Sequence, residues 1–124
     1  MSKVAKAYSE IGLETSVKSS NPRELIVLVF ERINDHLALG KEELLQDKPA
    51  IEAFTKAVDL INLGLLASID KDKGGDIAKN LEFIYLWVIN KIIEARLNKS
   101  PEKIDEAMEV LRPIHDGWRA LSDK

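Results

Sequence analysis

Chemistry in this chain would have to come from a short set of side chains. These are His36 and His115, the serines Ser9, Ser16, Ser19 and Ser20, the Lys73-Gly74-Gly75-Asp76 stretch, and many carboxylates. Neither histidine has a glutamate three residues before it, so the Glu-x-x-His pairs of a di-iron bundle are missing. With no cysteine, there is no thiolate metal site, disulfide framework or cysteine nucleophile, and two distant histidines make a poor transition-metal site. A phosphotransfer histidine is also unsupported, because His36-Leu37-Ala38-Leu39-Gly40 lacks an assisting lysine. His115 falls beside the apolar stripe of the last helical run, where a partly buried, hydrogen-bonded histidine is the expected reading. The serines have no histidine nearby and no strand-turn-helix elbow, so they read as caps and loop. Gly74-Gly75 lacks the Gly-x-x-x-x-Gly-Lys spacing of a phosphate loop and follows a helical run rather than a strand. The carboxylates sit at ordinary solvated helix spacings, and no acid-base pair stands out. These residues argue for no enzyme, no metal and no cofactor.

Binding is what remains, and the bulk properties narrow it. At 124 residues the chain is long enough for one domain with its own core. Its net charge is -3 and its basic residues are interspersed with acidic ones, which argues against nucleic acid as a partner. No run approaches the ~18 apolar residues of a membrane span, and the first residues lack the apolar core of a signal peptide. The expectation is therefore a cytoplasmic protein without membrane insertion.

The elements that would position a binding surface are helices. Residues 1–20 are weakly patterned, with Val4, Ala5, Tyr8 and Ile11 at helical spacing before a polar loop. They read as a mobile N-terminal segment that either frays or docks reversibly through Tyr8 and Ile11. Residues 21–124 read as a single helical domain. Asn21-Pro22-Arg23-Glu24 is a helix start, with Asn21 as cap, Pro22 in the first turn and Glu24 reaching back. The first helix should span residues 22–46, with Ile26, Val29, Phe30, Ile33, Leu37, Gly40 and Leu44 on one face. Leu25, Leu28 and Leu39 form a thin second stripe.

The second helix should start at Pro49 and run to residue 69. Ile51, Phe54, Val58, Ile61, Leu65 and Ile69 form its expected core face, and Ala53, Ala57, Leu60, Gly64 and Ala67 the opposite one, whose small residues let another helix pack close, so that both sides should be covered. After the Gly74-Gly75 turn, Asp76 should cap a third helix to residue 97, the most apolar in the chain. One face carries Ile77, Leu81, Ile84, Tyr85, Val88, Ile92 and Ala95. Leu86, Ile93 and Leu97 form a second stripe, and Phe83 with Trp87 a third edge. A surface helix rarely needs three apolar edges, so the helix is either central in the bundle or carries an exposed interaction patch. Ser100-Pro101 should start the last helix, with a kink or an end near Leu111 because Pro113 has no amide donor. Four long helices with short links make an all-α, antiparallel up-and-down four-helix bundle, preceded by a short helical segment.

Several stretches together resemble the flagellar export chaperone family FliS. They are Asn21-Pro22-Arg23-Glu24-Leu25-Ile26, then Lys73-Gly74-Gly75-Asp76-Ile77-Ala78-Lys79-Asn80-Leu81, Tyr85, Ala95 and Trp118. The resemblance spans roughly residues 8–118. Val29-Phe30-Glu31 departs from the family's Leu-Tyr before an acidic residue, and Ala95-Arg96 stands where Ala-Asn is usual.

The resemblance implies a cytosolic, non-enzymatic chaperone for the disordered C-terminal segment of flagellin. Such a chaperone prevents premature polymerisation and supports delivery to the flagellar type III export apparatus. It further implies a docked N-terminal segment, whose tyrosine Tyr8 matches, and a client that turns helical as it wraps the bundle. Export-gate components or flagellar regulators are allowed as further partners, and no nucleotide is implied. The partner-binding residues expected on this reading are Tyr8, Ile11, Leu60, Leu63, Phe83, Leu86, Trp87, Ile93 and Leu97. The alternative is a structural or adaptor bundle that binds a different helical partner or self-associates.

Overall fold

The computed structural model describes residues 21–121, and every element among them is helical. Helix α1 spans Pro22–Leu45. Its start is a full capping box: the Asn21 Oδ1 accepts from the Glu24 amide at 2.8 Å, and the Glu24 carboxylate accepts from the Asn21 amide at 3.3 Å. The expected core face of α1 is buried throughout, and Leu25 joins it.

Helix α2 spans Ile51–Leu60 and continues through a π turn at Ile61–Leu65 and a 3-10 turn at Leu66–Ser68. It starts later than expected. Asp47 and Ala50 both take left-handed backbone conformations, with φ of 59° and 56°, and Pro49 sits in the turn rather than in the helix. The buried arc takes in residues of both expected faces. Ala53, Ala57, Leu60 and Gly64 are inside along with Phe54, Ile61 and Leu65, while Ile51, expected in the core, is 54% exposed. The small side chains let α2 approach its neighbour closely. Opposite them, Gly40 of α1 leaves room for the Phe54 ring, and a Cβ there would fall 2.1 Å from Phe54 Cε1.

Helix α3 spans Lys71–Asn98. Its cap is Asp70, not Asp76: Asp70 Oδ1 accepts from the amides of Asp72 and Lys73, each at 3.1 Å. The helical path breaks at Gly75, whose φ of 55° and ψ of -132° suit glycine alone. The Gly-Gly signal therefore marks a kink one turn inside the helix, bridged by a Lys71–Glu82 ion pair at 2.5 Å. Ile77, expected in the core, is 73% exposed just beyond the kink.

Helix α4 spans Pro101–Ala120. Ser100 holds the cap position, but its hydroxyl lies 3.1 Å from the Glu102 carboxylate and no backbone amide donates to it. Pro113 does not end this helix. Pro113 brings no amide to the Glu109 carbonyl, both residues lie on an exposed face, and the helix runs on to Ala120. Ile104, Ala107, Leu111 and His115 point inward.

Short links at residues 46–50, 69–70 and 99–100 join the helices in antiparallel up-and-down order. Helix α1 packs on α2 and α4, and α3 packs on α4. The seam between α2 and α3 is the most open of the four. The Lys41–Asp105 pair at 2.7 Å ties α1 to α4, and Lys103–Glu94 at 3.4 Å ties α4 to α3.

Candidate partner-binding surface

The outer side of α3 carries several exposed apolar side chains. On α3, Tyr85, Val88, Ile92 and Ala95 are buried against the bundle. Roughly opposite them on the helical wheel, Phe83 is 70% exposed, Leu86 47%, Ile93 40% and Leu97 68%. These four form one outward row. The sequence expectation had spread them over two edges, with Trp87 beside Phe83.

Leu63, in the π turn of α2, is also exposed. Helices α2 and α3 run antiparallel, and a groove of about 210 Å³ between them brings Phe54, Thr55 and Val58 opposite Ile92, Ile93 and Arg96. By that register Leu63 falls level with Leu86 and Trp87 along the bundle axis.

Trp87 is only half-exposed and turns toward α4, with the Lys91 ammonium 5.2 Å from its ring centroid. Lys91 in turn faces Glu94 and, across to α4, Glu106. Trp87 thus edges the outward row rather than lying in it. Leu60 does not belong to the surface at all. It is 1% exposed, because the small residues of α2 face inward and carry Leu60 with them. Its assignment as a partner contact is corrected to core. Tyr8 and Ile11 lie outside the described residues.

A second apolar concavity of about 1210 Å³ opens at the end of the bundle where α1 begins. Leu25 and Ile26 of α1, Leu65 and Ile69 after α2, Leu81 and Tyr85 of α3 and Trp118 of α4 line it. The kinked turn at residues 70–74 forms its rim. Burial in its wall pushes the Tyr85 hydroxyl up to about 12, so it is a neutral donor at any physiological pH. Sequence reasoning missed this concavity because Leu81 and Tyr85 fit a helical core stripe. Only a three-dimensional gap between helix ends turns those residues into a lining.

His115 is buried, stacked on Phe30 with ring centroids 5.3 Å apart and planes 11° from parallel. Its Nδ1 lies 3.4 Å from the Asn34 amide nitrogen, but its Nε2 is buried without a partner. The expectation of a satisfied core histidine is therefore half met. Burial is the main cause holding its pKa below the ordinary histidine value.

Among the described residues, no three or more His, Asp or Glu side chains group so as to hold a metal ion. No helix among the described residues is long and apolar enough to cross a membrane.

The sequence matches the family model described as flagellar protein FliS over residues 4–124. It is similar to the flagellar secretion chaperone FliS of Salmonella typhimurium, with 34% identity over 96% of this chain and 90% of the relative. Similar too are flagellar secretion chaperone FliSB of Pseudomonas aeruginosa, 29% identical over 97% of this chain and 96% of the relative, and the FliS of Vibrio cholerae, 27% identical over 91% and 84%. With the family match spanning nearly its whole length and relatives named as chaperones, the chain belongs to the FliS family of flagellar secretion chaperones.

Proposed function

We propose that this protein is a stoichiometric, non-enzymatic export chaperone that works in the cytoplasm. It holds the disordered C-terminal segment of flagellin, blocks premature polymerisation and supports delivery to the flagellar type III export apparatus. The observation that carries this reading is the exposed row Phe83, Leu86, Ile93 and Leu97 beside the open α2–α3 seam. A disordered client loses entropy as it orders, so it needs a long apolar track rather than one deep pocket. An amphipathic helix that lays i, i+3, i+4, i+7 anchors into such a track meets that need.

Residues 1–20 form, on this reading, a separate segment ahead of the bundle of residues 21–124. The segment joins α1 beside Pro22, which itself lines the end concavity. Tyr8 and Ile11 are its apolar anchors, and on this reading the segment covers part of the client track in the free protein.

Titration calorimetry of the full chain with flagellin's C-terminal segment tests the proposal. A saturable, roughly equimolar complex at micromolar concentrations is the expected result. Absence of any heat or complex at those concentrations overturns it and leaves an adaptor for some other helical partner.

A further inference from the structure

The outward row of α3 contains a fifth position. Phe83, Leu86, Asn90, Ile93 and Leu97 follow one another at alternating spacings of three and four residues, the a/d repeat of a coiled-coil seam. All five are exposed, and the row is apolar at every position except Asn90. The Asn90 side chain has no hydrogen-bond partner among the described residues. An asparagine at a single a position of such a seam fixes register at some cost in affinity, because it must find a polar partner once covered.

We infer that Asn90 sets the register of the bound client: the flagellin segment docks on α3 as a helix in coiled-coil register, with an amide- or hydroxyl-bearing side chain placed opposite Asn90. The inference rests on the flagellin-chaperone reading and adds to it a specificity-determining residue and a feature of the client. The row is about 21 Å long at ~1.5 Å per residue, so it accepts close to four turns of helix. A second copy of this chain is a poorer occupant. Two heptads fall short of the roughly three to four that sustain a coiled coil unaided, whereas a client that wraps several surfaces needs only a share of its contacts here.

The test titrates flagellin's C-terminal segment into the full chain and into Phe83→Ser, Asn90→Gln and Asn90→Leu variants, each checked for wild-type helicity. Phe83→Ser should weaken binding. Asn90→Leu should weaken it roughly tenfold although it adds apolar surface, because the client's polar group is left buried without a partner. Asn90→Gln keeps an amide and should lose less. Equal or tighter binding by Asn90→Leu overturns the register role. Wild-type-like binding by Phe83→Ser overturns docking on this row while leaving the chaperone reading in place. If the unmodified chain does not bind the segment, both fail. Sedimentation of the chain alone supplies the last control: a dimer that Phe83→Ser abolishes would make a second copy the occupant and refute the inference.

Discussion

Two leucines on neighbouring helices should respond in opposite ways to the same substitution. Leu60 is 1% exposed in the core, and Leu86 is 47% exposed on the outer row. In Leu60→Glu the transfer energy of a fully buried leucine, about 2–3 kcal/mol, is lost. The new carboxyl must also be buried or protonated in an apolar site, which costs at least a few kcal/mol more. The sum, about 5 kcal/mol or above, matches the lower end of a small domain's whole stability, so Leu60→Glu should be unfolded or barely folded at 25 °C. In Leu86→Glu about half of the leucine is already in water, the loss is roughly 1 kcal/mol, and glutamate is a good helix former. Its thermal midpoint should stay within a few degrees of the parent. Binding of the flagellin segment should nevertheless fall by roughly tenfold to a hundredfold, since a carboxylate in the middle of the row must be desolvated. Thermal melts by circular dichroism and titration calorimetry on both variants read all of this. A Leu60→Glu variant that melts like the parent would refute the burial of Leu60 in the core. A folded Leu86→Glu variant with undiminished binding would refute the outer row as client track.

Three further outcomes follow from other contacts. Gly40→Ala places a methyl carbon 2.1 Å from Phe54 Cε1; overpacking of about 1–3 kcal/mol should outweigh the ~1 kcal/mol of helix propensity gained, so the urea midpoint should drop and recover when Phe54→Leu is added. His115 has a folded-state pKa below its unfolded value, so its stability contribution is complete above about pH 6.5 and is lost as pH falls, the unfolded chain taking up the proton first; His36 titrates in the same direction, and His115→Phe should flatten, without abolishing, the fall in unfolding free energy between about pH 7 and 5. Deletion of residues 1–14 should strengthen flagellin binding if the segment covers the track, or leave it unchanged if displacement is free; reduced affinity in a folded protein would mean that Tyr8 or Ile11 touches the client instead.

Much of the fold was legible because its signals are local. The Asn21-Pro22-x-Glu24 start became the capping box it spells, and the stripe from Ile26 to Leu44 became the buried face of α1. Local signals failed where a neighbour decided the outcome. The wheel of α2 shows a bulky face and a small face, both expected to be covered, but it does not say which residue at their edges stays in water. Gly40 and the small residues of α2 let two backbones close up, which buries Leu60 with Ala53 and Ala57 and leaves Ile51 outside. Of the two outcomes that Pro113 allowed, the helix did not end: a proline removes one hydrogen bond and crowds one carbonyl, and whether the helix continues past it depends on the packing on either side. For the site, Phe83, Leu86, Ile93 and Leu97 were identifiable as surplus apolar residues, but surplus does not say outward. That required seeing which arc of α3 the other helices had already used.

The division of α3 into two arcs has a thermodynamic consequence for a chaperone. Its inner arc, with Tyr85, Val88, Ile92 and Ala95, is satisfied by the rest of the bundle, so the fold does not depend on the client being present. Contacts on the outer arc therefore leave the chaperone's own folding free energy nearly untouched and go into holding the client. An exposed apolar row carries an aggregation risk, and the chain limits it. Lys79 precedes the row in the same register, Asn90 interrupts it, and charged side chains such as Glu82 and Glu94 flank it. The same interruptions cap the affinity of the row for helices that bring no polar group opposite Asn90. On the proposed function a client must be held without being trapped, and a short seam with a polar position at its centre meets both conditions. Filling that position with leucine should therefore do more than alter one affinity: it should admit helices in registers that the asparagine excludes, and in doing so make the chaperone less selective.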